Sequence, residues 1–276
     1  MSVRIHHLNC GTMCPFSRRL MSGDGGWLES ASMCCHCLLI ETGQGLVLVD
    51  TGLGSGDIAD PARLGGVFNR VVRPRLSYEE TAVAQVRALG FDPGDVRHIV
   101  VTHLDVDHAG GMSDFPQARV HVFEPEHEAA MAPTWRERMR YIPAHWDHDP
   151  DWVRHRVEGD NWFGFEAVRL IPGAAPDIAL IPLPGHTRGH CGVAVASGER
   201  WLIHCGDAYF HHAEMQTPPS CPAGLRIFQN LVQVDGRKRL ANQQRLRQLQ
   251  AEHSDTVDLF CAHDPSELQR MQAANG

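Results

Sequence analysis

Thr102-His103-Leu104-Asp105-Val106-Asp107-His108-Ala109-Gly110-Gly111 follows directly on the apolar run His98-Ile99-Val100-Val101. Four metal-capable side chains, His103, Asp105, Asp107 and His108, fall within six residues. Polar groups crowded at the end of a buried strand repel one another and lose solvation unless a positive charge neutralises them. A divalent cation, or a pair of them, does that directly. Positions 103, 105 and 107 alternate, so an extended segment points them the same way, and His108 reaches a neighbouring position where the chain turns. Taken alone, the stretch has a plain alternative: an exposed acidic loop with two stray histidines.

Four further apolar runs weigh against that alternative. Leu46-Val47-Leu48-Val49 runs into Asp50-Thr51-Gly52, and Ile178–Pro184 into Gly185-His186-Thr187. Trp201–Cys205 ends in Gly206-Asp207, and Val257–Ala262 in His263-Asp264. Five strand-to-loop junctions bearing Asp or His are hard to obtain by accident.

Their order resembles the metallo-beta-lactamase superfamily: an Asp-Thr-Gly turn, His-x-His-x-Asp-His, Gly-His-Thr, a bridging Asp and a final His. The likeness spans Asp50 to His263, and its central motif is specific when the downstream residues accompany it. One position departs, since Asp105 stands where the second His of the motif is usual. Within the superfamily the chain looks most like the stand-alone lactonase and hydrolase branch, through His108-Ala109-Gly110-Gly111 and Ala262-His263-Asp264.

At 276 residues the chain can form one large domain, and no linker, repeat or low-complexity tract divides it. A formal charge of −8 argues against nucleic-acid and anionic-membrane partners, which need a basic surface. No apolar run of membrane-spanning length is present, and Met1–His7 lacks the apolar core of a signal peptide, so a cytoplasmic location is expected. The expected partner is a small-molecule substrate; the oligomeric state is open, a homodimer being one option. Of nine cysteines, Cys34, Cys35 and Cys37 lie in an apolar strand as ordinary core thiols. Cys10 and Cys14, read as part of an N-terminal loop, are a weaker candidate for a second metal or redox pair.

Local patterns predict a hairpin of strands 34–40 and 46–50 through Thr42-Gly43-Gln44-Gly45. Ser77-Tyr78-Glu79-Glu80 reads as a capping box opening a helix with Ala82, Val83, Val86 and Leu89 on one face and Gly90 as its stop. Strands are expected at 96–101, 118–123, 166–171, 178–183, 191–196, 200–205 and 257–262, with a helix at 237–252. Asp264-Pro265-Ser266-Glu267 reads as the capped start of a closing helix. Strands alternating with helices in two similar halves suggest two packed sheets with helices outside. The resemblance implies the same αββα sandwich of two mixed sheets, with the site at one edge between them. Residues 131–165 break the rhythm with Trp135, Trp146, Trp152 and Trp162. They read either as a helical excursion packed on the body or as a lid over the cleft.

Carrying the motif across implies two metal positions. The first takes His103, Asp105 and His186, the second Asp107, His108 and His263, and Asp207 bridges them. The resemblance implies two divalent ions, zinc first, whose shared hydroxide attacks an ester, lactone or thioester carbonyl. Asp107 would also relay a proton to the leaving group. Asp50 would orient a ligand imidazole from behind. Tyr209 is the candidate to hydrogen-bond the substrate carbonyl, although the resembling lactonases place that Tyr where this chain has Phe210. His190, His204, His211 and His212 read as structural or supporting groups.

Asp105 adds a negative charge, so two divalent ions, three carboxylates and one hydroxide sum to zero. The hard oxygen ligand favours manganese or iron more than a histidine does, and Asp105→His is expected to raise zinc affinity. Flavodiiron proteins of the same superfamily carry Glu at this position and use iron. An iron-dependent redox enzyme, flavodiiron-like or persulfide-oxygenase-like, is therefore the rival reading. The absence of a flavin-binding domain counts against the first of these.

Overall fold

Period-two alternation of apolar residues assigns each sheet face to a different neighbour. The computed structural model describes residues 4–157, 160–170 and 176–274, and these described residues form thirteen strands. They are β1 (Ile5–Met13), β2 (Met33–Thr42), β3 (Gly45–Val49), β4 (Pro74–Arg75), β5 (Val96–Val100), β6 (Arg119–Phe123) and β7 (Asp151–His155). The remainder are β8 (Asp160–Trp162), β9 (Phe165–Leu170), β10 (Ile178–Pro182), β11 (Cys191–Ser197), β12 (Arg200–His204) and β13 (Val257–Phe260). The first seven make one sheet in the order β4-β1-β2-β3-β5-β6-β7, and the other six a second in the order β13-β12-β11-β10-β9-β8. Both sheets are mixed: β3, β5, β6 and β7 run parallel, as do β12 and β13, and the other pairs are antiparallel.

The alternation is visible in the core. Leu38 and Ile40 of β2, Val47 and Val49 of β3, Val193 and Val195 of β11 and Leu202 of β12 fill the space between the sheets. The intervening Cys37, Leu39, Leu46 and Leu48 pack outward with Val83 and Val86 of the helix Ala82–Ala88. On the other side Ala194 and Ile203 pack with Leu246 and Leu249 of the helix Gly236–Glu252. The result is the expected αββα sandwich. Each fully buried leucine or isoleucine of these layers contributes about 1.5–3 kcal/mol.

Some local expectations change. The stretch holding Cys10 is a strand, β1, with Cys10 on its outward face, and all nine cysteines are free thiols. Ser77 caps nothing; its hydroxyl donates to Glu79, while Thr81 Oγ1 accepts from Ala84 N and starts the helix after a 3₁₀ turn at Tyr78–Glu80. Leu89 is 40% exposed and lies off the buried face. Asp264 does cap the last helix, accepting from Ser266 N at 2.8 Å.

Residues 131–165, described except for 158 and 159, divide into three. The part around Trp135–Arg140 lines a cavity, β7 completes the first sheet, and β8 forms the edge of the second. Trp146 and Trp152 pack on the outer core of the first sheet, and Trp162 stacks edge-on against Trp201. The stretch is thus the crossing between the two sheets rather than one helical excursion. Of the strand expected at 166–171, position 171 lies outside the described residues. Among the described residues no helix is long and apolar enough to cross a membrane.

Candidate metal centre

The strand directions bring the five junctions together. β3 and β5 are parallel, and two antiparallel steps make β10 parallel to β12 and β13, so β10, β12 and β13 end at one edge. Asp50, His103, His186, Asp207 and His263 all follow the C-terminal ends of those strands. Their side chains, with Asp105, Asp107 and His108, form one cluster. His103, Asp105 and His186 offer ligand atoms within 4.8 Å of one another; so do His103, His108 and Asp207, and so do Asp107, His108 and His263.

Asp207 lies across the two halves. Its Oδ2 is 3.2 Å from His186 Nε2 and 3.7 Å from His103 Nε2. Its Oδ1 is 2.9 Å from His263 Nε2 and 3.3 Å from His108 Nε2. Asp105 Oδ2 closes the first half at 3.0 Å from His186 Nε2, and Asp107 Oδ2 the second at 3.6 Å from His263 Nε2.

A second set of contacts aims the imidazoles. His108 Nδ1 donates to Asp50 Oδ2 at 2.8 Å, leaving Nε2 toward Asp207. Thr102 Oγ1 donates to the same oxygen at 2.7 Å and accepts from His103 Nδ1 at 2.9 Å, so one carboxylate orients two rings. His263 Nδ1 donates to Cys34 O at 2.8 Å. Asp50 reaches this position through a backbone at φ 55°, followed by Gly52, where a Cβ would lie 2.1 Å from Cys10 O; only glycine fits.

The match to the family model of the metallo-beta-lactamase superfamily covers residues 35–263, from β2 to the last histidine of this cluster. The chain belongs to the metallo-beta-lactamase superfamily. It is 42% identical over 268 residues to the probable metallo-hydrolase Rv2300c of Mycobacterium tuberculosis, covering 97% of this chain and 82% of that protein. To the N-acyl homoserine lactonase AttM of Agrobacterium fabrum it is 28% identical over 286 residues, covering 99% and 97%. A solved N-acyl homoserine lactone hydrolase, with N-hexanoyl-L-homoserine at its catalytic metal centre, superposes with a TM-score of 0.72 at 20% identity. It covers 98% of this chain and 97% of its own.

The metal-dependent chemistry of this superfamily has a counterpart in the cluster's own electrostatics. Among the described residues, buried His103 Nε2, His108 Nε2 and Asp207 Oδ1 have no hydrogen-bond partner. Unpartnered, converging lone pairs of this kind suit a cation. Burial would raise Asp207, but His263, His108 and His186 outweigh it and hold the carboxyl well below its usual range. Burial likewise opposes ionisation of Asp105, and Arg140 with His103 reverses it. Burial pushes His186 down to about 4, which keeps its ring neutral and able to donate a lone pair.

Tyr209 does not join this superfamily site. It is fully buried in the outer core of the second sheet, and its hydroxyl donates to Glu267 at 3.1 Å. Phe210 faces the cluster instead, 4.9 Å between ring centres from His263 and 5.9 Å from His186. The two residues lie in the turn that follows β12, where one ring is held in the outer core and the next faces the cleft. The other histidines support. His190 Nε2 accepts from Asp207 N at 2.8 Å, and His204 Nδ1 accepts from Gly206 N at 3.1 Å. His212 donates to Asp264, and His211 accepts from Ala213 N.

Two residues escaped the sequence reading. Glu126, fully buried, accepts from Leu104 N, Tyr141 Oη, Thr187 Oγ1 and Gly189 N at 2.6–3.1 Å. It thereby fixes the neighbours of His103, Asp105 and His186. Arg140 Nε lies 3.5 Å from Asp105 Oδ1. Nothing local marks either one, because each sits in a charged, helix-like stretch with no motif.

Five residues of the cluster, Asp105, Asp107, His186, Asp207 and His263, line a cavity of about 740 Å³. The rest of its lining is largely apolar, with Met33, Phe68, Trp135, Met139, Phe210 and Phe228 among it.

Proposed function

We propose that the chain is a dinuclear metal-dependent hydrolase that cleaves an ester or lactone bearing an apolar acyl group. The observation that carries this reading is Asp207, whose two oxygens face two separate groups of histidine and aspartate at the base of an apolar cavity. In this reading His103, Asp105 and His186 hold one ion, Asp107, His108 and His263 the other, and Asp207 is shared. Two such cations supply a water activated toward neutral pH and an electrophile for a carbonyl.

The protein's own groups do the rest. Asp50 and Cys34 O keep the ring tautomers with Nε2 toward the centre. Asp107, 12% exposed and at the cavity base, is placed to take a proton and return it to the leaving oxygen. The apolar walls shed water around an acyl chain and strengthen charge interactions at the floor. Phe210 offers no hydroxyl to the substrate, so it would not take part in polarising the carbonyl. The lactonase relatives support an acylated lactone as one substrate, and the stretch Trp135–Arg140 would cover it as the lid.

The test is hydrolysis of N-acyl homoserine lactones of graded chain length, aryl esters and thioesters by protein purified without added metal and then loaded with zinc or manganese. Turnover that rises with acyl length and vanishes with Asp207→Asn supports the reading. Two metals bound with no hydrolysis of any ester, or one iron with dioxygen consumption on a persulfide, overturns it.

A further inference from the structure

Asp105 is the one position where this chain departs from the histidine of its motif, and Arg140 lies beside it. The two carboxylate oxygens of Asp105 do different things. Oδ2 faces His186 Nε2 at 3.0 Å and His103 Nε2 at 3.5 Å, in the first half of the cluster. Oδ1 is turned to Arg140 Nε at 3.5 Å, an ion pair by distance and not a hydrogen bond.

Arg140 has little freedom to leave. Its η1 nitrogen donates to His186 O at 3.1 Å and its η2 nitrogen to Val232 O at 2.5 Å. The side chains of Asp105 and Arg140 are only 13% and 12% exposed, so solvent screens the pair weakly. A planar guanidinium held by two carbonyls is a fixed positive charge beside the first metal position.

We propose that Asp105 and Arg140 act as one unit in place of a histidine. Asp105 gives the first half a single donor oxygen, as an imidazole gives a single nitrogen, and Arg140 removes the negative charge that the carboxylate adds. The net charge around the two ions is then that of an all-histidine site, one unit more positive than the carboxylate count alone predicts. Arg140 is a positioning residue in this account, since it acts through Asp105. The inference rests on the dinuclear reading above.

The consequence reverses the expectation that Asp105→His raises zinc affinity. With Arg140 left in place, the histidine variant confronts the first ion with an uncompensated guanidinium. Removing both charges together should restore the site. Zinc affinity is measured by chelator competition, with zinc content per chain, on the parent, Asp105→His, Arg140→Met and the double variant, and melts of the metal-free proteins verify folding.

Asp105→His should weaken one of two zincs by about ten- to a hundredfold, the range for a disturbed ligand environment. The double variant should return to within a few-fold of the parent. Asp105→Asn, which preserves the side-chain shape, should show the same loss and the same rescue by Arg140→Met, and it decides the matter if the histidine variant does not fold. An Asp105→His variant that binds two zincs as tightly as the parent, or a double variant no better than Asp105→His, would overturn the proposal. A parent protein that takes up no zinc sinks the dinuclear reading, whereas two zincs without rescue sinks only the pair.

Discussion

The Tyr209 hydroxyl donates to Glu267 at 3.1 Å inside the outer core of the second sheet, apart from the candidate metal cluster. Burial first, then the nearby Asp264, pushes Glu267 up to about 7, while Cys261 N donates to the same carboxyl at 2.7 Å. The ring that sequence spacing offered to the substrate is therefore structural. Tyr209→Phe should lower stability by about 1–3 kcal/mol, because a buried acceptor loses its donor. It should leave kcat/KM unchanged. Denaturant unfolding beside ester kinetics checks both, and a large loss of kcat/KM with normal stability would return Tyr209 to the active site.

Glu126 ties Leu104 in the loop of the candidate ligands to Thr187 and Gly189 in the next. Glu126→Ala leaves four buried donors without an acceptor and should cost at least about 3 kcal/mol. The loss should be accompanied by weaker zinc binding in the first half, since the neighbours of His103, Asp105 and His186 are freed. Melts and zinc content read the two effects separately; full zinc content in a variant that remains folded would show that Glu126 does not position the ligands.

Trp135 and Trp146 separate the two readings of the aromatic stretch. Trp135 is 81% exposed and lines the cavity, whereas Trp146 packs on the outer core of the first sheet beside His145, which is held by Asp57 at 3.0 Å. Trp135→Ala should raise KM for long-chain substrates with little change in Tm. Trp146→Ala should lower stability by about 3 kcal/mol through the cavity left behind, with KM preserved. Identical behaviour of the two variants would mean that the stretch acts as a single unit.

Acid sensitivity should arise in part far from the metal centre. Burial, with His155 and His98 alongside, pushes His121 down to about 3. Between that value and the ordinary 6.5 the unfolded chain binds a proton that the folded chain refuses. The contribution is complete above about pH 6.5 and is lost progressively as pH falls, amounting to about 2 kcal/mol between pH 6.5 and 5. His121→Gln should remove that slope. Unfolding curves of both proteins across this range give it as a difference, in which the shared metal-site histidines cancel. Equal slopes would show that His121 is already protonated in the fold.

The sequence by itself determined the strand-rich halves and the five junctions, and its resemblance implied the sandwich. The strands and junctions depend on patterns local to the chain: apolar runs, and Asp or His at the end of each. Whether a side chain meets a partner 81 residues away, as Asp105 meets His186, or 61 away, as Glu126 meets Thr187, is set by how the two sheets stack. That distance effect explains what only the tertiary structure decided. It put Phe210 rather than Tyr209 into the cleft, because Glu267, 58 residues away, holds the Tyr209 hydroxyl in the outer core. It also placed Arg140 against Asp105, a charge balance invisible in the motif because the compensating cation comes from the crossing between the sheets.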